Sequence, residues 1–279
     1  MEKYNLLPEQ LLYEGLIQSE NLFKPKKATV EDVLKVHEKE YVDKLFSKTL
    51  SRREERATGF PLSDDLVERE FFITGGTMQC VDYALEYGTS GNIAGGTHHA
   101  FRDRGEGFCL FNDIAVASIY AIENRNIRKI LVVDLDVHQG NGTANIFEND
   151  DRVFTFSMHG AKNYPLRKEK SDRDIALEDG ITDKKYLYLL SENLEDLISR
   201  VKPDLIFYQS GVDILKTDKL GRLGLSLTGV LERDRIVFNS ASRNGIPIVF
   251  NMGGGYSEKI SIIVDAHANT YRTALEVYF

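Results

Sequence analysis

Asp136 and His138 are separated by a single residue, and Asp213 follows a different apolar run much further along the chain. In an extended segment positions i and i+2 project to the same side, so the first two side chains can share a metal, with Asp213 as a third ligand. A mixed oxygen and nitrogen set with an open fourth position suits catalytic zinc and is compatible with Fe(II) or Mn(II), because ligand type alone does not fix the metal. Gly95-Gly96-Thr97-His98-His99 adds two adjacent histidines behind glycines that permit close backbone approach to a ligand. Beside a metal, such a pair points to proton transfer. Each ring needs a hydrogen-bond partner to fix its tautomer, and Asp134 and Asn141 are the candidates. His37 and His267 lie in helical patterns without such company and are expected to be structural.

These groups do chemistry only if rigid elements bring them together. Short β-branched-rich runs occur at residues 130–133, 153–156, 205–208 and 246–250, and segments 183–200 and 228–243 are long enough for helices between them. Alternating buried strands and amphipathic helices imply a parallel sheet covered on both faces. Three of the runs lead straight into polar residues: Asp134 to His138, Gln209 to Asp213, and Asn251 to Tyr256. Ligands bind beyond the carboxyl ends of the strands in such sheets, so acids, a histidine and a tyrosine should meet at one edge. Residues 24–51 read as helical, with a capping-box-like start at Thr29 and Asp32. Further helices are expected through Met78 and Leu85, stopping at Gly88, and from Asn112 through Ile122. Residues 167–179 are polar and read as a surface loop. With no repeat or Pro/Ser linker, the 279 residues read as one domain.

The formal charge of −8 argues against non-specific nucleic-acid binding, which needs a basic footprint. The apolar runs fall far short of the ~20 residues that span a bilayer, so no transmembrane helix is expected. The first ten residues lack a basic segment followed by an apolar signal core. Cys80 and Cys109 are too few for a disulfide framework, and the expectation is a reduced, cytoplasmic protein.

Gly95 to Ala100, Gly107-Phe108-Cys109, Asp134 to His138, Ser171 to Gly180, Gly211-Val212-Asp213 and Gly253 to Tyr256 occur in the order of the zinc-dependent histone deacetylase family, which the whole chain resembles. The resemblance implies a single α/β domain over residues 1–279, with a central eight-stranded parallel sheet flanked by helices. It implies zinc on Asp136, His138 and Asp213, a catalytic pair His98 and His99 with Asp134 contacting the first, and Tyr256 directed at the substrate carbonyl. Gly107, Phe108 and Gly254 are expected to line an acyl-lysine tunnel, with Tyr164 as a second aromatic wall. A potassium ion is implied at backbone groups of Asp134, Asp136 and His138 with Ser157 and Met158. The implied reaction removes acetyl or longer fatty acyl groups from lysine in a protein or peptide.

In many deacetylases the second histidine has an aspartate partner, whereas the matching residue here is Asn141. A neutral amide cannot raise the basicity of His99 as a carboxylate would, so His99 is expected to be the base while His98, near Asp134, stays charged. Gln139, Asn141 and the stretch from Tyr4 to Glu14 most resemble the class IV branch and its bacterial relatives. An acylpolyamine or other small-amide deacetylase is an alternative, and Asp64, Asp65 and Asp103 are candidate rim acids for a second amine, though each reads more naturally as a loop or capping residue. A binuclear manganese ureohydrolase is disfavoured because Gln139-Gly140 and Ile214-Leu215 stand where extra carboxylates are needed. An inactive acyl-lysine binding module would share the fold but would not need the complete site. The acidic total is a weak pointer to lysine-rich substrates.

Overall fold

Every residue of the central apolar runs is buried, and their period of two sends alternate side chains into two separate cores. The computed structural model describes residues 2–279. Its helices are α1 (Lys3–Tyr13), α2 (Val30–Leu34), α3 (Lys39–Ser47), α4 (Arg52–Thr58), α5 (Asp64–Tyr87), α6 (Asp113–Asn124), α7 (Asn141–Phe147), α8 (Asp183–Val201), α9 (Leu227–Arg243) and α10 (Ile260–Tyr278). The strands are β1 (Thr89–Asn92), β2 (Ile130–Asp134), β3 (Val153–Gly160), β4 (Arg173–Leu177), β5 (Leu205–Gln209) and β6 (Ile248–Asn251). Leu131, Val133, Ile206 and Tyr208 face a core built with α8, α9 and α10, while Ile130, Val132, Leu205 and Phe207 face one built with α3, α5 and α6. Burying each such side chain contributes about 1.5–3 kcal/mol.

All neighbouring strands are parallel, in the order β1-β6-β5-β2-β3-β4. The sheet therefore has six strands, not the eight that the family resemblance implies. It ends at β4 because that strand is a polar edge, with Arg173 exposed and Asp174 and Ile175 only half-buried. The same polarity explains why residues 173–177 read as loop in the sequence, although they pair with β3 from Phe156 to Gly160. Strand order runs outward in both directions from β2 and β5, which makes their seam the switch point at which a crevice opens.

The expected helix signals hold. The Thr29 side chain accepts from Asp32 N and the Asp32 carboxylate from Thr29 N, but of the pattern expected over residues 24–51 only α2 and α3 are helix: residues 24–29 are irregular and a turn at 35–38 separates the two. Gly88 ends α5 with a positive φ, and Asn112 caps α6. Among the described residues no helix is long and apolar enough to cross a membrane.

Candidate active site

Asp136 and His138 lie in a bend just beyond β2 rather than in an extended segment, yet their side chains still converge. His138 Nδ1 lies 3.1 Å from Asp136 Oδ1 and 3.2 Å from Asp213 Oδ2, and the three donor atoms fall within 4.8 Å of one another. Backbone groups hold the acids: Val137 N donates to Asp213 Oδ1 (2.9 Å) and Gly254 N to Asp136 Oδ2 (2.9 Å). Asp213 Oδ2 is buried, and the nearby His138 Nδ1 is not aligned to make a hydrogen bond to it, so the oxygen has no donor. An orphaned carboxylate oxygen is costly in a protein interior, and it marks the place where a cation would complete the set. A Cβ on Gly254 would fall 2.1 Å from that oxygen, so only glycine leaves the position open. The donor chemistry fits a divalent metal.

The two expected histidine partners are in place. His98 Nδ1 lies 2.7 Å from Asp134 Oδ2, and His99 Nδ1 lies 2.6 Å from Asn141 Oδ1. The two rings are 4.1 Å apart, centroid to centroid. Burial pulls His98 down, but Asp134 and Asp136 outweigh it and push the ring up to about 9. Burial and the neighbouring His98 and His138 hold His99 well below the usual histidine range. With Asn141 Oδ1 accepting, Nδ1 of His99 carries the proton and Nε2 keeps a lone pair; this tautomer is assigned from the hydrogen-bond geometry. The loop bearing both histidines is pinned by Asp113, which accepts from Gly96 N (3.0 Å), Thr97 N (2.8 Å) and Thr97 Oγ1 (2.7 Å). Gly96 makes that turn at φ 103°.

A cavity of about 750 Å³ opens over these groups, lined by His98, His99, Asp136, His138 and Asp213 and by Gly107, Phe108, Tyr164, Gly254 and Tyr256. Phe108 sits at a left-handed φ of 69°, secured by Gly107 N to Ala57 O (3.0 Å) and Phe108 N to Thr58 O (2.9 Å). The Tyr164 ring lies 5.1 Å from that of His99, and its hydroxyl donates to Glu106 (2.7 Å). Burial pushes the Tyr256 phenol up, so it stays a hydrogen-bond donor, and its ring stands 6.2 Å from Phe108. The Gly254 N–H is already committed to Asp136, so Gly254 meets a substrate through shape rather than through that donor. Ser157 stands opposite Asp134 in the β2–β3 register, with Oγ 3.0 Å from His159 Nδ1, and Met158 is buried beside it.

The rim acids are not brought to the mouth. Asp64 and Asp65 occupy the first turn of α5, Asp103 pairs with Arg104 at 2.9 Å, and none of them lines the cavity. His37 is structural, with Nδ1 2.8 Å from Phe101 O and Nε2 accepting from Asn112 N; His267, on α10, is buried with neither ring nitrogen hydrogen-bonded. Three supporting contacts escaped the sequence reading, although Gln139 itself is named there for its family branch. Lys3, on α1, is buried in the cavity wall and donates from Nζ to Gly253 O (3.1 Å). Gln139 donates to Glu169 O and Asp174 Oδ1, both at 2.8 Å, anchoring the segment that leads into β4. Asp113 had the clearest signal, an acid beside the cap of an otherwise apolar helix.

A family model described as the histone deacetylase domain matches residues 1–271. The chain is 44% identical over its whole length to an uncharacterized protein of Picosynechococcus, covering 93% of that protein. It is 32% identical to histone deacetylase 2 of Arabidopsis thaliana, over 98% of this chain and 73% of the relative. A solved histone deacetylase homolog, crystallised with SAHA, superposes with a TM-score of 0.84 at 26% identity, over 97% of this chain and 77% of the other. A homolog from Aquifex aeolicus gives 0.83 at 25% identity, over 96% and 77%. With the matched model spanning nearly the full sequence, the chain belongs to the histone deacetylase family.

Proposed function

We propose that this protein is a zinc-dependent amidohydrolase that removes acyl groups, acetyl or longer, from lysine side chains of proteins or peptides. The observation that carries this reading is the meeting of three metal-ligand side chains and two partnered histidines at one cavity. Asp136, His138 and Asp213 would hold the zinc, and the same donors are compatible with Fe(II). Bound there, the metal supplies Lewis acidity toward the amide oxygen and makes water a nucleophile near neutral pH.

The chain's own groups do the rest. His99 Nε2 takes a proton from the attacking water and returns one to the leaving amine. The Tyr256 hydroxyl donates to the amide oxygen as charge develops on it. His98, held by Asp134, contributes positive charge beside the base. Phe108 and Tyr164 flank the lysine stem, and potassium is assigned to backbone groups of Asp134, Asp136 and His138 with Ser157 and Met158. Gln139 and Asn141 favour the class IV branch. Free, buried Cys80 and Cys109 suit a reducing cytoplasm.

The test is amine release by the zinc-loaded protein from acetyl-, octanoyl- and myristoyl-lysine peptides and from acetylspermidine, with and without a chelator. Chelator-sensitive cleavage of at least one lysine peptide is expected, with each buried methylene contributing about 0.8 kcal/mol where the cavity accepts it. Cleavage of acetylspermidine alone would defeat the lysine assignment.

A further inference from the structure

The protein is acidic overall, yet the mouth of its cavity is not. Arg56, Lys162 and Arg222 line it, against one lining carboxylate outside the metal ligands, Glu106. Glu106 is already engaged by Arg104 Nε at 2.8 Å and by the Tyr164 hydroxyl. Lys162 and Arg222 share a single acid, Asp179, at 3.5 and 3.6 Å, and both remain largely exposed. Arg56 donates from Nε to its own helix at Arg52 O and stands exposed in the last turn of α4. Three exposed cations around one opening thus have about one carboxylate between them.

A potential of that sign, set in a molecule of formal charge −8, is local to the opening. Guanidinium groups match carboxylates with two parallel hydrogen bonds. The mouth is therefore ill suited to a polyamine or a lysine-rich tail. It is also the reverse of what the acidic composition alone suggests.

We propose that the preferred substrate is an acyl-lysine set among acidic residues, whose flanking carboxylates meet Arg56, Lys162 and Arg222 while the acyl-lysine enters the cavity. The inference rests on the acyl-lysine reading above. It is tested with zinc-loaded protein and three acyl-lysine peptides of equal length, flanked by Asp/Glu, by Ser/Gln or by Lys/Arg, with acetylspermidine as a cationic small amide. At low salt kcat/KM should fall from the acidic to the neutral to the basic peptide, by about tenfold across the series for a few exposed pairs acting together. The spread should narrow at high salt. Arg222→Glu, and independently Lys162→Glu, should shrink or invert the ratio of acidic to basic peptide, a readout internal to each active preparation. Equal kcat/KM across the peptides, a preference for the basic one, or faster cleavage of acetylspermidine than of the acidic peptide would overturn the proposal. Cleavage of none of the peptides would instead overturn the acyl-lysine assignment on which it stands.

Discussion

Two clusters of buried charge are anchored to the β5 region, and they are built to opposite rules. In one, Arg233 donates from Nε to Asp234 (2.8 Å) and from its two terminal nitrogens to Gly211 O and Ser210 O, while Asp234 also accepts from the Tyr208 and Thr270 hydroxyls. Asp234 has hydrogen-bond donors on both oxygens. In the other, Asp136, His138 and Asp213 face one another with an oxygen of Asp213 unpartnered. The difference separates a polar network that is complete in itself from one whose geometry leaves a place for a cation. A complete buried network rigidifies its surroundings, whereas an incomplete one destabilises the fold until its missing partner arrives. The two are coupled, because Arg233 grips the carbonyls of the very loop that carries Asp213.

The strongest way to break the contrast is Asp213→Asn, which removes one ligand charge. Metal affinity should drop by more than about 100-fold, the upper range for losing a group that only hydrogen-bonds to a ligand, and deacylation should vanish with it. The metal-free variant should melt no lower than metal-free wild type, because one oxygen of Asp213 has no aligned donor and two acids face each other in the empty set. A calorimetric scan showing a large loss of stability in the metal-free state would contradict the incomplete-site reading.

Arg233→Met strikes the complete network and should cost about 3–5 kcal/mol of stability, because Asp234 is left as a buried charge without its cation. Denaturant midpoints equal to wild type would remove the structural role. The smallest effect concerns Asn141→Asp. A carboxylate beside His99 would raise a ring now held well below the usual range. A base of raised pKa is protonated over more of the acid range, so the acid limb of kcat/KM should move to higher pH with a modest change at the plateau. An unmoved limb would take His99 out of the base role.

Much of this contrast is written in the sequence, but unevenly. The ligands and histidines announce themselves because they sit where apolar runs end, and β2, β5 and β6 are legible because every residue in them is buried. Strand β4 is not, since an edge strand has no continuous apolar run to display. The contacts of Asp113, Gln139 and Lys3 were missed for a shared reason. Each acts on a segment remote from itself, up to 250 positions away for Lys3 and Gly253, and local periodicity carries no trace of such a pairing. The charge of the mouth was equally hidden, because α4, the loop after β3 and the loop after β5 contribute one cation each.

The order of the strands also has a consequence for biosynthesis. Asp136 emerges first, Asp213 77 residues later, and the Gly254 amide that steadies Asp136 later still, after β6. At ribosomal rates of about 5–20 residues per second, seconds separate the first ligand from the last support. A nascent chain therefore holds a lone acid and histidine at the end of β2 well before the ligand set exists. A cation that needs all three side chains can be held only after Asp213 has emerged, and Asp136 gains its Gly254 support only after β6.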